Sequence, residues 1–555
     1  MLLTKFVSNL EKCFLDENIA DKYEVTKDSI LLNERYTVQL AIQETDTSYW
    51  MNLYMEIQSP LKEYITLYKV ESVPVRYPMY AYWEPDNLTN FIRLTPGLYP
   101  DILRPYADCG MFNVAARELN ALWIDVQPKG KVPAGTYPIT VLIKNGQNEV
   151  ITENTFTLEI LDASLPPQKM LYTEWFHTDC LAVYYDTPVF SEKYWEIVEN
   201  FMKNAAEAGI NLILTPTFTP PLDTKVGGER PTVQLVDVTV ENGQYSFDFT
   251  RVGRWVETAH RCGIENFEIA HFFTQWGAKH APKVMATADG EYKRIFGWDT
   301  DATSDEYARF LRQFVQEFLV YMKSIGCDKN CYFHISDEPS GDKIESYMAA
   351  KSIVQDLLEG YTIMDALSHY EFYESGALDT PIPANNAIEP FLEHNVPNLW
   401  TYYCCAQHNK VSNRFMSMPS ARNRIIGYQF YKYDIVGFLQ WGYNFYFNQY
   451  SVYPIDPYLI TDADYFVPAG DAFSVYPGPG GKPLDSLRAR VFYDALQDYR
   501  LLELAESLAG REAVMDILEG DLPEEEKITF SNFPTTISYM HESRAAVHNL
   551  IRKHI

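Results

Sequence analysis

The sequence after residue 165 alternates short apolar runs with longer amphipathic segments. Eight runs have the length and composition of β-strands: 170–176, 211–218, 266–273, 331–338, 361–368, 398–405, 437–444 and 472–478. Amphipathic segments such as 191–209, 304–326 and 420–436 lie between them and have the spacing of helices. Eight strands that alternate with helices predict a (β/α)8 barrel over residues 166–510.

The first 165 residues show a different pattern. Short alternating segments such as "YTVQLAIQE", "ALWIDVQ" and "TFTLEILDA" are separated by Asn, Gly and Pro, which predicts an antiparallel β-sandwich. Pro166 and Pro167 then favour a linker, because proline cannot continue a strand ladder. Residues 484–508 should form the last barrel helix, with Asp485 or Ser486 as its N-cap. Residues 511–555 are expected to be a helical tail packed on the barrel.

The charge of the chain limits its partners. A formal net charge of -29 argues against binding to nucleic acid or to an anionic membrane, because both are bound largely through Lys and Arg. A neutral or weakly charged ligand fits better, and aromatic residues, which make up 15% of the chain, suit pockets that combine a flat face with a hydroxyl or N–H group. The pattern leaves the oligomeric state open.

The start of the sequence, "MLLTKFVSNLEKCFLDEN", has no sustained apolar segment, and we therefore expect a cytoplasmic protein. The eight cysteines form no CxxC pair, so neither a disulfide framework nor a zinc ribbon is expected. The adjacent Cys404 and Cys405 are interpreted as buried reduced thiols. We predict no metal and no cofactor.

Two adjacent acids, Asp337 and Glu338, end the fourth predicted strand in "CYFHISDEPS". Catalytic groups of such barrels project from the carboxyl ends of the strands. Strand alternation places Glu338 over the barrel mouth together with His334, whereas Asp337 reaches the same ligand only if the strand bends before Pro339. Each carboxylate should raise the pKa of the other.

Three sequence blocks resemble glycoside hydrolase family 123, the β-N-acetylgalactosaminidases: "HISDEPS", "LQWGYNFY" and "YPGPGGKPLDSLRARVFYDALQDYRLL". The resemblance spans about residues 165–510. It implies that Glu338 is the general acid/base and that Asp337 positions the 2-acetamido group of the substrate. The "GPGGKP" stretch departs from the family pattern, which has an acidic residue soon after the proline, so no contacts are assigned to the 476–483 loop.

The resemblance also implies supporting residues around one sugar ring. The candidates that could floor or hydrogen-bond the ring are Trp441, Tyr443, Asn444 and Tyr446. Either Tyr402 or Tyr403 could hold the acetamido oxygen. At the end of the first strand, Glu174, Trp175 and His177 could contact sugar hydroxyls. His334, below Glu338, is interpreted as a hydrogen-bonded histidine of the barrel interior rather than a metal ligand.

Chemistry agrees with these roles. Conventional glycosidases need carboxyl groups about 5 Å apart for retention and about 6.5–9.5 Å apart for inversion, on opposite sides of the scissile bond. Neighbouring residues cannot easily straddle the bond in that way. Substrate-assisted hydrolysis avoids this requirement, because the acetamido oxygen attacks the anomeric carbon while the protein orients the amide and protonates the leaving oxygen. Together with the resemblance, this predicts an exo-acting β-N-acetylhexosaminidase that works by retaining, substrate-assisted catalysis on carbohydrates with a terminal N-acetylhexosamine, with β-linked N-acetylgalactosamine as the favoured sugar.

Two alternatives remain open at this point. One is a conventional glycosidase in which Glu338 works with a carboxylate from another strand, such as Glu174 or Asp365, on sugars without an acetamido group. The other is a carbohydrate-binding protein that has the barrel shape but no turnover.

Overall fold

The computed structural model describes residues 1–80, 90–339 and 343–555. The described residues up to 165 include the strands and short α-helix β1 (Leu2–Ser8), β2 (Lys27–Leu31), β3 (Tyr36–Glu44), β4 (Trp50–Gln58), β5 (Ile65–Val75), β6 (Gly97–Pro105), α1 (Tyr106–Cys109), β7 (Phe112–Val114), β8 (Leu119–Val126), β9 (Gly135–Lys144) and β10 (Val150–Leu161). They form two five-stranded sheets, in the orders β1-β3-β8-β5-β6 and β2-β10-β9-β4-β7. All neighbours are antiparallel except β2 and β10, which are parallel.

The two sheets share one hydrophobic core. Leu40 and Ile124 from the first sheet belong to the same buried cluster as Val141 and Phe156 from the second. Alternate residues of β3, β8, β9 and β10 belong to this cluster, as the period of two in the sequence predicts.

The rest of the chain is an α/β region. Its strands are β11 (Leu171–Glu174), β12 (Leu212–Thr215), β13 (Asp237–Glu241), β14 (Gln244–Asp248), β15 (Asn266–Ile269), β16 (Val284–Ala288), β17 (Glu291–Phe296), β18 (Cys331–Phe333), β19 (Thr362–Leu367), β20 (Thr380–Pro383), β21 (Trp400–Tyr402), β22 (Gly437–Gln440), β23 (Val475–Pro477) and β24 (Pro483–Asp485). Its helices are α2 (Thr178–Tyr184), α3 (Glu192–Glu207), α4 (Thr250–Cys262), α5 (Asp305–Ser324), α6 (Ile344–Ser352), α7 (Tyr370–Glu374), α8 (Glu389–Glu393), α9 (Ser420–Arg424), α10 (Ile426–Lys432), α11 (Leu487–Ala509), α12 (Arg511–Glu519) and α13 (Ile537–Arg552).

Parallel strands of this region form two arcs, with the orders β12-β15-β18-β19-β20 and β11-β22-β21. Hydrogen bonds link the ends of the arcs. On one side the Asn211 N–H donates to the Tyr172 carbonyl at 3.1 Å. On the other side Ala384 forms a parallel bridge with Tyr402.

Two prolines explain why only a bridge links β20 to β21. The Ala384 N–H bonds back to Leu367 of β19, whereas the Asn385 N–H bonds to Tyr402 of β21. Because alternate residues of a strand present their N–H groups to opposite neighbours, Pro381 and Pro383 face β21, where they have no hydrogen to donate. The ladder can therefore begin only after Pro383.

The strand predicted at 472–478 is not parallel to the others. Val475–Pro477 instead pairs antiparallel with Pro483–Asp485, across a turn that contains Gly480 and Gly481 at positive φ. Among the parallel strands of the two arcs, the sequence prediction missed β20, whose prolines resemble a loop signal. The other seven predicted strands are present, in shorter form.

Local sequence signals position the helices. The Ser304 and Ser486 hydroxyls accept the Tyr307 and Ala489 N–H groups and cap α5 and α11, and Ser486 was one of the two N-caps predicted for α11. An inserted sheet, β14-β13-β16-β17, lies in the connections that follow β12 and β15.

Buried polar contacts join the N-terminal sheets to the α/β region. The Arg488 guanidinium of α11 forms two 2.9 Å hydrogen bonds with Asp101 of β6. Lys12 donates to the carbonyl oxygens of Met416 and Met418 at 2.9 and 2.8 Å. In the C-terminal tail, α12 and α13 pack on α11, and α13 also contacts β2. Within the described residues, no helix combines the length and apolarity needed to cross a membrane.

Candidate active site

A cavity of about 660 Å³, including its open mouth, lies past the carboxyl ends of the parallel strands. Segments that follow β11, β12, β15, β18, β21 and β22 contribute to its wall. Its lining includes Trp175, His177, Leu222, Asp223, Gln275, Trp276, Asp337, Glu338, Ala366, Tyr402, Cys404, Cys405, Leu439, Trp441, Phe445 and Phe466. The wall is therefore mainly aromatic and apolar, with acidic groups at a few positions, as is typical of a site for a small neutral ligand.

Both predicted acids line this cavity, although the strand ends earlier than expected. β18 stops at Phe333, and the chain then bends, with Glu338 in the left-handed region at φ +42°. The backbone N–H of Trp276 donates to the Asp337 carbonyl at 2.9 Å and holds the bend. The departure from strand geometry allows adjacent residues to reach the same cavity, as Asp337 requires.

Burial raises the pKa of both carboxyl groups. The pKa of Asp337 lies well above its ordinary value because the partly buried carboxyl group is shielded from water by the surrounding protein and because the charge of Glu338 is close to it. Burial also raises the pKa of Glu338, while the Tyr402 hydroxyl, which donates to Glu338 Oε1 at 2.6 Å, offsets part of that rise. The pair is therefore suited to retain a proton near neutral pH.

Hydrogen bonds fix two tryptophans of the wall. The Trp441 indole N–H donates to Asp471 Oδ2 at 2.8 Å, and the Trp175 indole N–H donates to Glu268 Oε1 at 2.7 Å. Burial raises the pKa of Asp471 to about 7, and the Trp441 hydrogen bond opposes that rise. Both indoles therefore present rigid faces to the cavity.

His177 is held in one neutral form. Arg230, which is paired with Asp179 at 2.7 Å, approaches His177 Nδ1 at 3.3 Å, so that this nitrogen accepts and Nε2–H donates to the Trp441 carbonyl at 2.9 Å. Burial and the Arg230 charge lower the pKa of His177 to about 4. The imidazole therefore stays neutral at physiological pH.

His334 lies beneath the acids and is fully buried. Its Nδ1 bonds Asp365 at 2.8 Å and its Nε2 bonds Glu268 at 2.7 Å. Burial alone would lower the pKa of His334, but the two carboxylates outweigh it and raise the pKa to about 10. His334 is thus a hydrogen-bonded cation of the interior and does not line the cavity.

One potential metal-binding atom from each of His271, His334 and Asp365 lies within 4.8 Å of the other two. They do not fit a metal ion, because both ring nitrogens of His334 carry protons that they donate to carboxylates and have no lone pair to offer. His271 stacks on His334 at 4.2 Å, and burial keeps its pKa well below the ordinary value.

The His334 cluster should make stability depend on pH. Because the folded-state pKa of about 10 lies above the ordinary 6.5, the stabilisation is complete below pH 6.5 and is lost as pH rises toward 10. His334→Gln should lower the thermal unfolding midpoint, since two buried carboxylates then lose their cation, at a cost of about 3–5 kcal/mol. It should also flatten the decline in the unfolding midpoint between neutral pH and pH 10. An unchanged decline in the variant would contradict this account.

Glu174 lies outside the cavity lining. Its carboxylate accepts from the hydroxyls of Tyr172 and Ser474 and is paired with Arg414, all of them buried. Glu174 is therefore engaged in a structural ion pair, and Asp365 is likewise engaged by His334. Neither partner named for the conventional two-carboxylate mechanism faces the cavity.

Four other predicted substrate contacts also lie outside the lining: Tyr443, Asn444 and Tyr446 for the sugar ring, and Tyr403 for the acetamido oxygen. The Tyr443 hydroxyl donates to Asn204 Oδ1 at 2.7 Å, and the Tyr446 hydroxyl donates to the Val475 carbonyl at 2.9 Å. The Asn444 amide bonds the backbone of His177 in both directions, at 2.8 and 3.1 Å. Tyr403 is fully buried, whereas its neighbour Tyr402 reaches the cavity. The cavity thus brings together Asp337, Glu338, Trp441, Tyr402, Trp175 and His177.

Several lining residues were not predicted from the sequence. Asp223 follows β12, and Gln275 and Trp276 follow β15. Their position after parallel strands is the signal that could have found them. Cys404 and Cys405 are free thiols, as expected, but they are only partly buried and line the cavity.

A cavity with an acidic pair and aromatic walls, at the carboxyl ends of parallel strands, is the arrangement of a glycoside hydrolase. The family model described as "Glycoside hydrolase 123, catalytic domain" matches residues 175–505, more than half of the chain. The chain therefore belongs to glycoside hydrolase family 123. The family resemblance predicted from the sequence is confirmed.

The fold is similar to that of a family 123 glycoside hydrolase from Clostridium perfringens, whose structure was reported with the details of glycolipid glycan hydrolysis. The TM-score is 0.75 at 13% identity, over 100% of this chain and 98% of that chain. An endo-beta-1,4-mannanase from Thermotoga petrophila gives a TM-score of 0.35 at 12% identity, over 60% of this chain and 77% of that chain. A Parabacteroides merdae beta-glucuronidase gives 0.31 at 10% identity, over 89% and 51%. None of the curated proteins matches the sequence.

Proposed function

We propose that the protein is an exo-acting β-N-acetylhexosaminidase that releases terminal β-linked N-acetylgalactosamine by retaining, substrate-assisted catalysis. Asp337 and Glu338, adjacent in sequence, line one cavity, and this is the observation that carries the proposal. Consecutive residues cannot easily place their carboxyl groups on opposite sides of a scissile bond, as a conventional mechanism requires. They can act on one side, where one orients an amide and the other donates a proton.

In this mechanism Glu338 protonates the glycosidic oxygen as the acetamido oxygen attacks the anomeric carbon. The leaving bond breaks, and an oxazolinium ring forms within the substrate. Asp337 accepts the amide N–H and stabilises the positive charge that develops there. Glu338 then takes a proton from the water that opens the ring, which restores the starting state.

Rigid groups of the cavity wall are placed to contact the sugar ring itself. The hydrogen-bonded faces of Trp175 and Trp441 supply flat apolar surfaces for the ring, and the neutral His177 supplies a polar edge. Tyr402 already donates a hydrogen bond to Glu338. Its hydroxyl is therefore close enough to this acid to hydrogen-bond the acetamido group or the leaving oxygen of the substrate.

We also infer that the eight parallel strands close into a (β/α)8 barrel. Support comes from the hydrogen bonds between the arcs, at Asn211–Tyr172 and Asn385–Tyr402, and from the cavity at the carboxyl ends of the strands. The domain limits at residues 165 and 510 and the cytoplasmic location stay predictions.

A conventional glycosidase remains the second candidate because Asp223, from the segment after β12, also lines the cavity. A panel of 4-nitrophenyl glycosides tests both. We expect hydrolysis of the N-acetyl-β-galactosaminide and at least about 100-fold less of the β-galactoside, because loss of the acetamido group removes the nucleophile. Comparable hydrolysis of both would favour the conventional mechanism with Asp223. Binding of the sugars without hydrolysis of either glycoside would indicate a carbohydrate-binding protein.

A further inference from the structure

An aromatic corner lies at the mouth of the cavity. Trp276 lines the cavity and is 41% exposed, whereas Trp175 in the same wall is only 4% exposed. Tyr450, 40% exposed, packs edge-to-face against Trp276, with ring centroids 6.2 Å apart. An indole that is open to solvent on one side and continuous with the active site on the other offers a flat surface just outside the enclosed part of the cavity.

Hydrogen bonds between three segments hold this corner. Asp223 Oδ2 accepts the Tyr450 N–H at 3.0 Å, and the Ser451 hydroxyl donates to the Asp223 carbonyl at 2.7 Å. The backbone N–H of Trp276 donates to the backbone carbonyl of Asp337. The corner is therefore ordered before any ligand binds, which lowers the entropy cost of binding. It is also tied directly to the catalytic pair.

Gln275, beside the corner, has an unused donor. Gln275 lines the cavity and is only 7% exposed. Its Oε1 accepts the Asp223 N–H at 2.7 Å, which fixes the direction of the amide. Its Nε2 is buried, and among the described residues it has no hydrogen-bond acceptor. A buried amide N–H without an acceptor is costly, and a ligand oxygen would satisfy it.

We propose that Trp276, Gln275 and Asp223 form a subsite for the sugar ring on the leaving-group side of the scissile bond. Trp276 supplies the stacking face, the Gln275 amide donates to a ring or hydroxyl oxygen, and the Asp223 carboxylate accepts from a hydroxyl. Tyr450 is a positioning residue that supports the indole. The proposal rests on the proposed function, because an exo-acting enzyme that encloses the terminal sugar must direct the next residue toward the mouth.

The subsite lies next to the acid that serves the leaving group. Trp276 is bonded to the backbone of Asp337, and Glu338 is the next residue in the chain. A sugar that departs with the proton of Glu338 therefore leaves past the indole. The natural substrate is accordingly an oligosaccharide or glycan chain rather than a glycoside of a small alcohol.

The test compares two substrates whose leaving groups are similar alcohols. One is a disaccharide of β-linked N-acetylgalactosamine on galactose, and the other is methyl N-acetyl-β-galactosaminide. Trp276→Ala should lower kcat/KM for the disaccharide about tenfold more than for the methyl glycoside, because only the disaccharide fills the subsite. Trp276→Phe, which keeps a flat ring, should recover most of the difference. Tyr450→Ala should raise KM for the disaccharide more than it changes kcat.

Tyr292→Ala is the matched control, since Tyr292 is 60% exposed on β17 and is not part of the cavity lining. It should leave both substrates unaffected. Equal losses on the two substrates in Trp276→Ala would overturn the subsite while the proposed function stands. If the wild-type enzyme hydrolyses neither substrate but cleaves glycosides without an acetamido group, the proposed function itself fails. Thermal unfolding of each variant separates these outcomes from misfolding.

Discussion

Replacing Glu338 by glutamine should lower turnover about 100-fold or more on glycosides with poor leaving groups and far less on a 2,4-dinitrophenyl glycoside. A poor leaving group needs a proton as the bond breaks, whereas dinitrophenolate departs without one. Glu338 lines the cavity beside Tyr402, and burial raises its pKa, so that the group is suited to hold that proton. Measuring kcat/KM over a series of aryl glycosides of graded leaving-group pKa would show the effect as a steeper dependence in the variant.

The pH profile gives a second measurement of the same role. With a poor leaving group, the wild-type rate should fall as pH rises through the pKa of Glu338, because the ionised acid cannot donate. Glu338→Gln has no proton to lose at this position, so the fall in rate at high pH should disappear. Glu374→Gln, at an exposed position outside the cavity, is the control and should behave as the wild type. Equal losses on good and poor leaving groups would remove Glu338 from the acid role.

The sequence predicted the parallel strands where their apolar runs are continuous and failed where proline interrupts one. In β20, Pro381 and Pro383 lie on the edge that faces β21, so the strand keeps its bonds to β19 and remains part of the sheet. The number of prolines in a segment cannot distinguish such a strand from a loop, because the strand survives only if its prolines face the edge that makes no ladder hydrogen bonds. The apolar run at 472–478 led to the opposite error, since it pairs antiparallel with β24 across a short turn instead of joining the parallel strands.

The directions of the site residues could likewise be predicted only where the strand is regular. Alternation holds within a strand, but β22 ends at Gln440, and Gly442 then packs against the backbone of Ala472, where a side chain would collide with a carbonyl oxygen. Trp441, before this glycine, reaches the cavity, whereas the hydroxyl of Tyr443, after it, bonds Asn204. Period-two reasoning cannot extend past such a turn.

Residues from other segments could not be found from the motif alone. Asp223, Gln275 and Trp276 reach the cavity from connections after β12 and β15, and their side-chain directions depend on contacts between those connections. Asp337 and Glu338 were predictable because they end a predicted strand and lie in one of the three sequence blocks that resemble the family. The bend that lets both line the cavity depends on the Trp276 N–H and was visible only in three dimensions.

Asp337→Asn should depress hydrolysis of 2-acetamido glycosides about 100-fold or more while the protein remains folded. The change is nearly isosteric at a partly buried polar position, so it creates no cavity, and the unfolding midpoint should stay close to that of the wild type. Burial and Glu338 raise the pKa of Asp337 in the free protein. The N–H of a bound acetamido group would offset this rise, because a hydrogen bond to the ionised form favours it. An asparagine cannot supply that negative charge.

A thiazoline analogue of the proposed intermediate separates the two acids. If Asp337 stabilises the charged oxazolinium state, the thiazoline should inhibit the wild type competitively and bind at least about 100-fold more tightly than N-acetylgalactosamine. Asp337→Asn should lose most of that advantage, whereas Glu338→Gln should keep the larger part of it, because Glu338 acts on the leaving oxygen rather than on the amide. Isothermal titration of both variants measures the contrast. A thiazoline that binds no better than the parent sugar, or a fluorosugar that traps a covalent adduct on Asp223, would replace substrate assistance with the conventional retaining mechanism.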